Sequence, residues 1–249
     1  MKKLAYKLRP TAGFSSVLHI LFNALLPIAI LFFVRLGFEW IAVAVVLLAK
    51  WRTVAVRPRY WIPNVRSNLV DIFVGLSVVA FMSGTTTFVT QIFWTVAYIV
   101  WLVWLKPKSN PVAVMTQALI AQAVTLVAFY RAFPESSLLV GILAVWLICY
   151  ASARHFLGAF DEPMTRSMVH IWAWFGACMA WVLGHWVIQY LFLPQIALIL
   201  TILGYGLATL YYLDKKEKLK AIIKRQLIGV MGLLLLIIIV FSDWQDKTV

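Results

Sequence analysis

Charge is scarce in this chain, and negative charge scarcest of all. Of 249 residues only 12% are charged, with 22 Lys and Arg against nine Asp and Glu. Soluble domains carry about 25% charged residues, so an ordinary water-exposed globular protein is excluded. Cysteine is nearly missing too. Cys149 and Cys178 both fall within apolar runs, which gives no disulfide framework and no sign of an oxidising compartment. Several motifs are also lacking. The chain has no Walker-type glycine loop, no HExxH zinc motif and no protease signature. No lysine lies deep in an apolar run, so a retinal Schiff base is excluded. No pair of its four histidines has a spacing that calls for haem, and no His, Asp or Glu spacing matches a metal motif. Neither a cofactor nor a metal is expected.

What the chain has in abundance is apolar length. It is 63% hydrophobic and 15% aromatic, with a mean hydropathy of +0.92. Crossing about 30 Å of hydrocarbon takes roughly 20 residues of helix, and the continuous runs here are too long and too unalternating for barrel strands. The fold class is therefore all-α, a polytopic integral membrane helical bundle in a single transmembrane domain. Nine segments are expected, at 14–34, 36–51, 68–82, 88–105, 112–130, 138–156, 168–192, 194–213 and 227–241. The count drops to eight if 36–83 is partly re-entrant, since both segments there are short. No loop is long enough to fold as a separate soluble domain. Inverted-repeat transporters show Gly- or Pro-broken helices at matched positions in two halves, and Pro27 has no such counterpart.

Cations set the expected orientation. With the amino terminus inside and nine crossings, 19 of the 22 Lys and Arg fall in inside pieces, leaving only Arg35, Arg131 and Lys247 outside. That asymmetry obeys the positive-inside rule. It predicts a cytoplasmic amino terminus, an external carboxy terminus and, with such compact loops, the plasma membrane of a prokaryote. The same rule accounts for the net charge of +13 without nucleic acid. The stretch 50–71 concentrates the inside charge, with Lys50, Arg52, Arg57, Arg59 and Arg66 ahead of Asp71 and with Trp51, Tyr60 and Trp61 among them. Pro58 and Pro63 are expected to stop a helix there. Such a stretch marks the lipid–water boundary and offers a surface for anionic lipid headgroups or a protein partner.

Three constellations are candidates for chemistry. On the seventh segment, His170, Trp174, Trp181 and His185 fall within about 60° on one helical face, with Cys178 beside them. With Asp71, that face is the candidate pathway or pocket, though helix packing would produce the same pattern. Lys50, Arg52, Arg57, Arg59 and Arg66 are the candidate anion or partner surface. His155, Asp161 and Glu162 form a weaker acid–base group that could act on a lipid headgroup. Gln122, Ala118 and Thr125 share one side of the fifth segment as a packing seam.

The first reading of function is a small permease or carrier for a lipid or other amphipathic solute. A non-catalytic subunit or scaffold, docking a protein partner or a second copy on the basic face, is the alternative. An intramembrane enzyme acting on phospholipid headgroups is the third.

Overall fold

The computed structural model describes residues 14–51, 55–160 and 162–246. Among them are nine α-helices that follow the nine expected segments in order: α1 (Phe14–Arg35), α2 (Glu39–Leu48), α3 (Trp61–Ser83), α4 (Phe88–Val100), α5 (Pro111–Ala132), α6 (Leu138–Leu157), α7 (Thr165–Leu183), α8 (Gln195–Lys215) and α9 (Ala221–Phe241). Six of these, α3 to α6 with α8 and α9, are long and apolar enough to cross a membrane, α4 together with the π-helical turn Trp101–Leu105 that continues it. They suit a multi-pass membrane protein. At 10 residues, α2 is about 15 Å long, well short of a bilayer.

Local chemistry explains several boundaries. Asn110 caps α5 by accepting a hydrogen bond from the Ala113 N–H at 2.7 Å, and Pro111 takes the first position, where no N–H is needed. Ser137 caps α6 through the Val140 N–H. Pro63 does not stop α3, contrary to the expectation from sequence. It lies in the first turn, where the backbone N–H groups lack intrahelical partners anyway. The helix therefore begins at Trp61, after a short turn at Pro58–Tyr60. Its first two turns are largely exposed and burial begins at Val70, so the expected start at 68 marks where packing begins.

A second difference lies at 184–192. The seventh segment was expected to stay helical to 192, but α7 ends at Leu183 with Gly184 as its cap. Beyond it the β-favouring run Trp186–Tyr190 forms β1, which pairs antiparallel with β2 (Leu193–Pro194) and with β3 (Asp243–Asp246) in the order β2-β1-β3. The two-residue turn between β1 and β2 puts Leu191 at φ +56°, the left-handed conformation that such tight turns demand. Pairing with β3, far away in sequence, removes this stretch from the helix.

The helices pack around two centres. The first holds α1 to α4 through Ile30, Val46, Val74, Met82 and Tyr98. At its middle, Gly75 admits a close approach: a Cβ there would lie 2.7 Å from both the Tyr98 hydroxyl and Val46 Cγ1. The second holds α5 to α8, with Leu126, Val145, Ala173 and Leu200 fully buried. There α7 lays Ala173, Gly176, Ala177 and Ala180 against α6, and a Cβ on Gly176 would lie 2.6 Å from Cys149 Sγ. Small residues at such spacing let membrane helices approach closely, and Cys149 fills the contact as a small apolar group. By contrast, α9 is almost entirely exposed along its length, with only Ile238 buried.

Gly75→Ala should destabilise the first centre by about 1–3 kcal/mol, the usual range for overpacking, and lower the thermal midpoint in detergent. Gly229→Ala, with open space around it, should leave that midpoint unchanged.

Candidate functional site

One turn from the Gly75 contact lies the strongest electrostatic feature of the bundle. Lys50 is four residues beyond Val46, and Asp71 four before Gly75, so the two side chains meet at one level. The Asp71 carboxylate receives Lys50 Nζ at 2.8 Å and Lys106 Nζ at 2.7 Å. Trp101 Nε1 reaches its other oxygen at 3.4 Å. Trp101 and Lys106 both face Asp71 because α4 ends in a π-helical turn, Trp101–Leu105, closed by the Lys106 N–H donating to the Trp101 carbonyl. A five-residue repeat brings these two residues onto one side. The cluster carries a net positive charge and ties together the end of α2, α3 and α4.

Polar contacts continue across the same end of the bundle. Gln117 of α5 donates to the Leu105 and Lys108 carbonyls at 2.7 and 2.9 Å, and His155 Nε2 lies 3.0 Å from its Oε1. Lys108 sits over the Trp104 ring at 3.2 Å. Glu162, just before α7, receives Lys215 Nζ at 2.7 Å and a hydrogen bond from the Tyr211 hydroxyl. Lys215 also donates to the Phe160 carbonyl. The hydrogen bonds from Lys215 and Tyr211 hold the Glu162 carboxyl below its ordinary value.

Next to the Glu162 cluster, α5 to α8 line a cavity of about 690 Å³. It is lined almost wholly by apolar side chains, among them Leu119, Phe156, Ile171, Trp172 and Phe175. Its polar groups are Gln122, Ser152 and Tyr211. Gln122 is fully committed in the wall: its Nε2 donates to the Leu200 carbonyl and its Oε1 accepts from Trp172 Nε1, both at 3.0 Å. Small residues at matching depth, Ala118, Ala153, Gly204 and Ala208, leave the space open. Ile171 and Leu207, 69% and 49% exposed, flank the gap where α7 and α8 barely touch. The cavity opens sideways there. Towards the basic end its lining includes Tyr211, whose hydroxyl bonds Glu162 and lies beside Lys215.

The structure separates the residues grouped from sequence. At 100° per residue α7 has three faces: Ala173, Gly176 and Ala177 against α6; Met168, Ile171, Trp172 and Phe175 on the cavity; and Trp174, Cys178 and Trp181 exposed. His170 stands beside the exposed face, half-buried, with ring centroids 5.5 Å from Tyr150 and 6.3 Å from Trp146. His185 lies beyond the end of the helix against Trp181 and Trp186. Asp71 is on α3 with its lysines. Arg57, Arg59 and Arg66 are exposed and make no ion pair among the described residues, with Arg59 over the Tyr60 ring. Arg52 and Asp161 lie outside the described residues. His155 and Glu162 are engaged with different partners, Gln117 and Lys215. The seam of Ala118, Gln122 and Thr125 is buried as expected, Thr125 meeting Ser77 Oγ at 3.3 Å. Two of its members also line the cavity. The cavity residues Trp172, Phe175, Gly204 and Tyr211 were not singled out from sequence. Their one sequence signal is the recurrence of small side chains on neighbouring helices.

Comparison with known proteins gives no match: no family model fits the chain, and no curated protein or solved structure is similar to it.

Removing one member of a buried ion cluster costs about 3–5 kcal/mol because the remaining charges are stranded. Asp71→Leu should therefore lower the thermal midpoint sharply, while the double variant Lys50→Met with Asp71→Leu should recover part of the loss. For Glu162 the folded value lies below the unfolded one of about 4.3. Its contact is thus fully present at neutral pH and is lost as pH falls through the folded value. Between pH 7 and pH 3 the native chain should lose more thermal stability than Glu162→Gln does, the difference between the two reporting this contact.

Proposed function

We propose that this protein is a multi-pass carrier for a lipid or other amphipathic solute, loaded sideways from the bilayer. The observation that carries this reading is the cavity of about 690 Å³, whose exposed lining residues Ile171, Phe175 and Leu207 all lie on α7 and α8. Sites for small amphipathic molecules have this size and this mostly apolar lining. A side opening flanked by exposed Ile171 and Leu207 suits a solute that arrives through hydrocarbon. Tyr211, Glu162 and Lys215 would receive its polar end at the boundary, while the chain lies against Trp172 and Phe175.

In this reading the basic end is cytoplasmic, the nine helices run from end to end of a prokaryotic plasma membrane, and α2 crosses where the bilayer thins to meet it. Two features support that orientation. The contacts of Lys50, Lys106, Lys108 and Lys215 all gather at one end, as the positive-inside rule requires. At the other, Arg35 lies over Phe88 and reaches Gln91 at 3.5 Å. The exposed His170–Trp181 face of α7 would then meet lipid or a neighbouring molecule.

One observation favours the docking alternative. Arg57 and Arg59, just before α3, and Arg66, in its second turn, are exposed with no acidic partner among the described residues, a surface for anionic headgroups or an acidic protein. Replacing all three by Gln should release such a partner without changing topology. The enzyme reading draws no support from geometry, since His155 and Glu162 do not share a partner.

Leu207→Trp would plug the mouth of the cavity without touching the core. In proteoliposomes it should reduce translocation of a fluorescent fatty acid or lysophospholipid at least tenfold relative to the native chain, with an unchanged thermal midpoint. Equal translocation by both would remove the cavity from the pathway.

A further inference from the structure

At the end opposite the basic cluster lies a second cavity, of about 360 Å³, between the end of α5, the β1–β2 hairpin and the start of α8. Its chemistry differs from that of the first. Arg131, Gln189 and Gln195 contribute polar groups, and Tyr130, Trp186 and Phe192 contribute aromatic rings. Gln195 is only 1% exposed, yet neither its amide nitrogen nor its amide oxygen has a hydrogen-bond partner among the described residues. Buried polar groups are nearly always satisfied, and an orphan asks for an explanation. Gln195 cannot turn away to find one. It is the first residue of α8, directly after Pro194, which is locked in register with Gln189 of β1.

We propose that this cavity binds a small solute bearing a planar amide beside a carboxylate, the chemistry of a peptide carboxy terminus or an N-acylated amino acid. A carboxamide has donors on one side and an acceptor on the other, and a second amide satisfies both at once. Arg131, exposed and without an ion pair among the described residues, supplies a planar fork that matches a carboxylate. The first turn of α8 has no side-chain cap, which adds free N–H groups on the same wall. The volume is at the small end of the range for ligand sites, enough for one or two amino-acid units. This site is independent of the lipid-carrying cavity.

The test uses the full chain in lipid nanodiscs, titrated with N-acetylglycine while tryptophan fluorescence is read, Trp186 being part of the wall. Saturable binding is expected, at least tenfold weaker for acetate, which lacks the amide, and for N-acetylglycinamide, which lacks the carboxylate. Gln195→Leu and Arg131→Gln should each weaken N-acetylglycine binding at least tenfold. Gln195→Leu removes an unsatisfied buried group in favour of an apolar one, so it should fold at least as stably as the native chain. No saturable response from the native chain would overturn the proposal, and so would equal affinity in a folded Gln195→Leu variant.

Discussion

A carboxylate inside a membrane bundle must be matched by cations or it cannot stay charged, and Asp71 is matched twice. Lys50 and Lys106 approach it to 2.8 and 2.7 Å, from the end of α2 and from the turn that ends α4. That requirement propagates. Lys50 reaches the carboxylate only if α2 packs on α3, and Gly75 allows this by letting Val46 and Tyr98 approach its bare Cα. Lys106 reaches it only because α4 switches to a π-helical turn. Together these fix the depth of α2, α3 and α4 relative to one another. Removing any one partner of such a cluster strands the remaining buried charge at a large cost, so the three helix ends are held at a common level.

From that level the second half of the bundle is built differently. Charge is replaced by amides and small side chains: Gln117 accepts from His155 Nε2 through its amide oxygen and donates to the α4–α5 loop, while Gln122 joins α5 to α7 and α8. These bonds hold the helices in place without filling the space between them. The cavity is the consequence. Trp172 is fixed by its bond to Gln122, and Ala118, Ala153, Gly204 and Ala208 leave room that no side chain occupies. An apolar space of this kind, with Tyr211 at its basic end bonded to Glu162, is the basis of the carrier reading proposed above.

The helical plan was legible in the sequence because apolar length is a local property. Helices follow the expected segments among the described residues, six of them long and apolar enough to cross a membrane, and the polar seam of Ala118, Gln122 and Thr125 is buried. What was not legible depends on pairing between distant residues. Trp186–Tyr190 looks like more of α7 until β3, over 50 residues later, is set beside it. The wheel of α7 showed a His and Trp face, but a helical wheel cannot say whether a face meets lipid, protein or a cavity. The cavity lies on the neighbouring face, where Ile171, Trp172 and Phe175 look like ordinary core residues. Pro63 misled for a related reason, since the same residue that ends a helix from within can open one from its first turn.

The central claim is that the cavity between α5 and α8 holds an amphipathic molecule taken from the membrane. Native mass spectrometry of the protein extracted in a mild detergent tests it most directly. The account predicts a retained lipid or amphipath of defined mass, present on the native chain and absent from Leu207→Trp. A bare polypeptide in both, or the same adduct in both, would contradict it.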